Sequence, residues 1–297
     1  MGHHHTHSVR KKNLLLTIFI NVVITIAQVI GGFVSGSLAL ISDALHNFTD
    51  VVSLVISYIA SVFSYKEASE NKTFGYKRAE IIAAFVNACS LLVIAIFLVV
   101  EAAQRFFNPT SIEADLVIWL SLVAIIGNGL SVFILHKDAK SNMNIRSSYL
   151  HLFTDLLGSI AVLVGGLLMK FYSLFWIDAV LTLIIAVYLI IVGFQLAKKA
   201  FSVLMLFTPP AIDVDQLIAE VNQIEKVKHI HHIHIWQLND DEVHLEAHVD
   251  FEEDIKLSEF DEILLLIEAK VEKFGINHVN IQPEFEKPDN KNIIVQD

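Results

Sequence analysis

Cysteine is almost missing from this chain of 297 residues, and its one thiol, Cys89, rules out a disulfide framework and a thiolate metal cage. The neighbours Asn87, Ala88, Ser90 and Leu91 read as helix interior, so Cys89 is expected to be a packing thiol. Charge is scarce as well: 18% of residues are charged against 54% hydrophobic, which is too apolar for an ordinary soluble protein. What charge there is divides the chain, with 14 Lys+Arg against 11 Asp+Glu in residues 1–206 and 7 against 21 in residues 207–297. A tail that acidic repels nucleic acid and anionic headgroups and attracts divalent cations. No cleavable signal peptide is evident, because the first apolar run is long, lacks a small-residue cleavage pattern and is followed by others like it. No His-Glu-x-x-His motif is present, which weighs against an intramembrane metallohydrolase.

What the chain does have is long apolar runs. A helix needs about 20 mostly apolar residues to cross a bilayer, and six stretches qualify, near 13–34, 38–64, 79–100, 115–135, 148–170 and 175–197. Six spans put both ends of the region on one side. Twelve Lys and Arg fall on that side, among them Arg10, Lys66, Lys77, Arg78, Lys137 and Lys198, whereas the other side has only Arg105 and Lys170. The positive-inside rule then places both termini in the cytoplasm. Gly31, Gly32, Ser35, Gly36 and Ser37 shorten the first outer connection, so the first two spans are expected to be antiparallel neighbours. Glu80 is expected to pair with Lys77 or Arg78.

Thr208, Pro209 and Pro210 end the membrane part. Beyond them, helical spacing of Leu217, Ile218, Val221 and Ile224, and of Leu257, Phe260, Ile263, Leu264, Ile267, Val271 and Phe274, marks two helices. Strand patterns lie near 229–238, 242–251 and 277–285. The order α-β-β-α-β predicts two helices on one face of a three-stranded sheet. Strict alternation puts Ile230, His232, His234 and Trp236 on one face of the first strand. In the second it separates Val243, Leu245, Ala247, Val249 and Phe251 from His244, Glu246, His248 and Asp250. The third strand adds Asn280, Gln282 and Glu284 to the polar face. If His232 joins that face it becomes a metal site; otherwise the histidines solvate an exposed or dimer-facing surface. His229, His231 and His278 are expected to be surface or packing residues.

The ionisable residues inside the spans carry more information, because a charge at a helix centre costs about 2.5–3.5 kcal/mol and needs a partner. Span two reads Ser42-Asp43-Ala44-Leu45-His46-Asn47-Phe48-Thr49-Asp50 and span five His151-Leu152-Phe153-Thr154-Asp155. In each, His and Asp stand four residues apart and emerge from one helix face. Two such pairs facing each other present two nitrogens and two oxygens, a tetrahedral set suited to Zn²⁺. A proton relay and purely structural His–Asp pairing are the other readings. Imidazole suits Zn, Co, Ni or Cu rather than Mg or Ca, and the lack of Cys or Met nearby argues against Cu(I). Metal binding needs neutral imidazole and ionised carboxylate, so such a site is suited to exchanging a metal ion for protons.

These motifs, together with Thr73-Phe74-Gly75-Tyr76-Lys77-Arg78-Ala79-Glu80 and His232-Ile233-His234-Ile235-Trp236, make the chain resemble the cation diffusion facilitator family, specifically its bacterial zinc-exporting members. The resemblance covers nearly the whole chain. It implies an all-α six-helix transmembrane domain (13–207), after a cytosolic segment (1–12), and an α+β ferredoxin-like cytosolic C-terminal domain (208–297) for metal binding and dimerisation. It implies no enzyme but a transporter exporting Zn²⁺, with Co²⁺, Cd²⁺ or Ni²⁺ as further cargo, by H⁺ antiport through His46, Asp50, His151 and Asp155. Asp43 and Asn47 stand beside that site as supporting residues. It implies a homodimer in the lipid bilayer of the cell inner membrane, with no nucleic-acid partner, and a regulatory Zn²⁺ in the tail held by His232, His248, Gln282 and Glu284. Some relatives have a further site in the loop after span two, but residues 66–72 offer only Glu67 and Glu70, so none is expected here. A membrane zinc sensor or storage protein with the same ligands is the alternative.

Overall fold

The computed structural model describes the backbone of residues 3–64, 66–139, 143–288 and 290–295; the side chains of 3–18, 135, 137–148, 150, 151 and several α2 residues, Asp50 among them, lie outside the description. Six long helices come first: α1 (His3–Ser35), α2 (Leu38–Ser64), α3 (Ala79–Phe107), α4 (Ala114–Ala139), α5 (Met143–Tyr172) and α6 (Trp176–Leu204). They coincide with the six expected spans. Among the described residues, Ala79–Phe107, Ala114–Ile134, Leu152–Tyr172 and Trp176–Leu204 are long and apolar enough to cross a membrane. Helix α2 carries a buried polar row of Ser42, Asp43, Asn47 and Thr49. By contacts the chain forms two compact units, one of residues 1–56 and 86–196, the other of 57–85 and 197–297.

In the first unit the outward faces are apolar, with Phe33, Val93, Trp119 and Phe133 exposed. Around water such a surface would aggregate; around acyl chains it is the ordinary outer face. Helices α1 and α4 meet through glycines on both sides: a Cβ on Gly31 would fall 1.8 Å from Leu120, and one on Gly127 2.1 Å from Ile24. Lipid tails are as apolar as the helices, so this close backbone approach supplies packing that the hydrophobic effect does not. Leu91, Ala95 and Leu98 of α3 pack against Ala186 and Leu189 of α6, with Leu45 of α2 against them.

The second unit holds α7 (Val214–Val221), β1 (Val227–Gln237), β2 (Val243–Phe251), α8 (Leu257–Val271) and β3 (His278–Glu284), the expected α-β-β-α-β order. Asp213 caps α7 by accepting from the Gln216 amide at 3.1 Å. The sheet runs β1-β2-β3, antiparallel between β1 and β2 and parallel between β2 and β3. Leu245, Ala247, Val249 and Phe251 form the inner face and pack with Leu217 and Val221 of α7 and Phe260, Ile263, Ile267 and Val271 of α8. The ends of α3 and α6 in this unit pack through Ile81, Ala200 and Val203. Glu80 accepts from Ser64 Oγ at 3.3 Å, and Lys77 turns instead to Glu242, whose two oxygens lie 2.6 and 2.7 Å away.

The alternation expected for β1 breaks in its middle. Its pairing with β2 shifts between His231 and His234, and His232 takes a positive φ of 51°. Such an extra residue is a β-bulge. Because of it Ile230, Ile233 and Ile235 all reach the core, so His231 before the bulge and His234 after it occupy the polar face, and His232 does not share the Ile230 face as strict alternation required. Replacing Ile267, which is fully buried, by Ala should cost about 2–5 kcal/mol, read by urea unfolding of the 208–297 segment through the fluorescence of Trp236, its one tryptophan.

Candidate functional site

Helix α2 is placed by a carboxylate from α6. The first amides of a helix have no partner inside it, and here Asp178 accepts from Leu38 N at 2.8 Å, Ala39 N at 3.2 Å and Ser37 Oγ at 2.5 Å. Ser37 Oγ in turn accepts from Leu40 N at 3.1 Å. One turn into α2, Gln28 of α1 donates to Asp43 Oδ2 at 2.6 Å and accepts from Asn47 Nδ2 at 3.3 Å, all three buried. Helix α5 passes this group at Gly158, where a Cβ would lie 3.5 Å from Asp43 Oδ1. These contacts fix which face of α2 looks towards α5.

On that face His46 Nε2 stands 3.8 Å from Asp155 Oδ1, with side chains 12% and 1% exposed. The two expected ligands that are described therefore meet across the helix pair. The edge of the His46 ring also meets Tyr188 of α6, the centroids 6.3 Å apart. Asp50 follows His46 by one turn and His151 precedes Asp155 by one turn, and their side chains lie outside the described residues. Asp43 and Asn47 sit beside this pair in the hydrogen-bonded network with Gln28. Gln28 escaped sequence reasoning, since a lone amide in an apolar span carries no periodic signal.

The polar face of the sheet carries the second candidate. Register puts cross-strand partners in rows: His229 opposite Asp250 and then Glu284; His231 opposite His248 and then Gln282; Trp236 opposite His244 and then His278. Partners opposed in a row share a face. His231 Nε2 lies 3.3 Å from Glu284 Oε2, and His248 Nδ1 lies 3.0 Å from Glu284 Oε1. His229 Nε2 lies 3.1 Å from Asp250 Oδ2. Two sets of three donors converge, His231–His248–Glu284 and His229–His231–Asp250, each with its ligand atoms within 4.8 Å of one another. Of the tail residues expected as ligands, His248 and Glu284 are in the first set. Gln282 donates to Glu284 Oε1 at 2.9 Å. His232 stacks on His248 at 4.4 Å between centroids, and His231 completes the set.

Burial lowers the pKa of His231, helped next by the positive charge of Lys291, so the neutral, ligand-competent imidazole is favoured. Its Nδ1 is buried with no hydrogen-bond partner among the described residues. Two imidazoles and a carboxylate are the donor chemistry of Zn²⁺-class ions. Farther along, His244 stacks on Trp236 at 5.2 Å and meets Phe74 edge-on at 6.0 Å. Burial lowers its pKa too, followed by the neighbouring His278. The Asp178 cap gives a direct test of how α2 is held: Asp178→Ala strands two buried amides at about 1–3 kcal/mol each, so the thermal midpoint in detergent should fall, with Asp178→Asn falling less.

Residues 14–205 match the family model described as the cation efflux transmembrane domain, and residues 209–286 that of the cation efflux protein cytoplasmic domain. The chain is 36% identical over 297 residues to the cadmium, cobalt and zinc/H(+)-K(+) antiporter of Bacillus subtilis, covering 99% of this chain and 96% of that protein. It is 31% identical to the zinc transporter ZitB of Pectobacterium atrosepticum, covering 97% and 90%, and 32% identical to the metal cation efflux system protein CzcD of Cupriavidus metallidurans, covering 95% and 90%. With both domain models matched in order along one chain, this membrane protein belongs to the cation diffusion facilitator family of metal efflux transporters rather than to any class of enzyme.

Proposed function

We propose that the chain exports Zn²⁺ from the cytoplasm in exchange for protons, through His46 and Asp50 of α2 and His151 and Asp155 of α5. The observation that carries the reading is the approach of His46 Nε2 to Asp155 Oδ1 at 3.8 Å, both side chains sheltered from solvent. An imidazole and a carboxylate from different helices at that separation leave room for one ion to bind both. Asp50 and His151, one turn away on the same two helices, supply the second nitrogen and oxygen of a tetrahedral set. The cargo enters as neutral imidazoles and ionised carboxylates take hold of it, and protons arriving from the other side convert the same groups into forms that cannot. Exchange follows from the shared donors, provided the site opens to one side at a time.

The names of the relatives favour this class of cargo: cadmium, cobalt and zinc for the Bacillus antiporter and zinc for ZitB. In our reading the chain works as a homodimer in the bacterial inner membrane with both termini in the cytoplasm, and the His231–His248–Glu284 set of the tail binds a regulatory divalent ion there. Isotope flux in proteoliposomes under an imposed pH gradient tests transport. Zinc uptake driven by the gradient is expected in the wild type, and Asp155→Ala or His46→Ala should lower it at least a hundredfold while the protein still elutes as a folded species. Wild-type flux in Asp155→Ala sinks the site; zinc binding with no flux in the wild type turns the reading into a membrane sensor.

A further inference from the structure

Beyond β3 the chain turns back along the outer edge of β1. His232 N donates to Asn292 O at 3.1 Å and Ile233 N to Ile293 O at 2.8 Å, where the bulge interrupts β1's own ladder. The tail thus docks by two backbone hydrogen bonds on an edge that β2 leaves open. This docking carries Lys291 into the histidine and carboxylate cluster. Its ammonium donates to Glu284 Oε2 at 2.7 Å and Asp250 Oδ1 at 3.0 Å and stands 3.5 Å from His231 Nε2. Lys287 takes the other Glu284 oxygen, Oε1, at 2.6 Å.

The atoms matter here. Glu284 Oε2 and His231 Nε2, which approach each other at 3.3 Å, are the two that meet the Lys291 ammonium. Glu284 Oε1, which faces His248 Nδ1 at 3.0 Å, is the one that meets Lys287. The side chains of Glu284 and His231 are 1% and 0% exposed, so water cannot neutralise the carboxylate and a cation must. The chain supplies its own. A divalent ion on these donors and the ammonium of Lys291 compete for the same lone pairs.

We propose that the segment 287–293 is a tethered counter-cation for this cluster: a divalent ion bound by His231, His248 and Glu284 expels Lys291 and releases the tail from the edge of β1. The proposal rests on the cytosolic metal-site reading above and adds what the ion displaces. Because the lysine is always present, it lowers the apparent affinity by the fraction of chains in which it is docked, and this sets the free metal level at which the domain responds. Its departure also frees Asp250 beside His229, opening the second donor set together with the first.

Zn²⁺ titration by calorimetry tests this on the full-length protein in detergent, with Asp155→Ala silencing the proposed transport site and His231→Ala identifying the tail site. Lys291→Met should tighten His231-dependent binding by roughly tenfold or more, whereas Lys291→Arg, which keeps the charge, should leave it weak. Should removal of the ammonium unfold the cluster, the chain with native Lys291 still decides: saturating Zn²⁺ should speed amide exchange at His232 and Ile233, whose N–H groups the tail carbonyls hold, while β2 stays protected. Equal affinities within twofold, or exchange at His232 and Ile233 unchanged at saturation, overturn the inference and leave the metal site standing. Absence of His231-dependent binding in every variant removes the site itself.

Discussion

Hydrocarbon cannot solvate a charge or an unpaired amide, and the arrangement of the membrane unit follows from that constraint. Polar groups retained in α2 find partners inside the bundle: Asp43 meets Gln28 of α1 and His46 meets Asp155 of α5, while the Ser42 and Thr49 hydroxyls donate back to the Leu38 and Leu45 carbonyls of α2 itself. The helix start obeys the same rule, since Asp178 of α6 takes the two first amides of α2. What looks like a binding site is therefore also how the bundle avoids leaving polar groups in lipid. The two roles need the same geometry.

Much of this was legible from residue order. Long apolar runs mark the six helices because a bilayer demands a length, and a repeated His-x-x-x-Asp on two of them singles out candidates, of which His46 and Asp155 stand 3.8 Å apart. The α-β-β-α-β order of the tail was equally readable, since helical and strand periods differ. Ligand assignment in β1 was harder. Alternation assumes one residue per step, and the bulge adds one, moving His231 rather than His232 into the set with His248 and Glu284. A signal did exist: Ile230 and Ile233 stand three apart, which a strand keeps in one core only by inserting a residue.

Long-range partners left no such trace. Asp178 lies about 140 residues beyond the amides it caps, and Lys291 41 beyond the Asp250 it meets. Neither sits at a spacing that any periodic rule inspects. The lysine pair in an otherwise acidic tail is meaningful only once the parallel pairing of β2 with β3 brings Asp250 level with Glu284. Charge that looks dispersed along the chain is concentrated by topology.

The fastening of α2 to α6 has a mechanical corollary. Two amides and a hydroxyl closing on one buried carboxylate make the first turn of α2 hard to slide, because any translation strands donors where no water can reach them. A swing leaves them paired. A rearrangement that parted His46 from Asp155 would therefore keep the first turn of α2 as its pivot, held at Asp178.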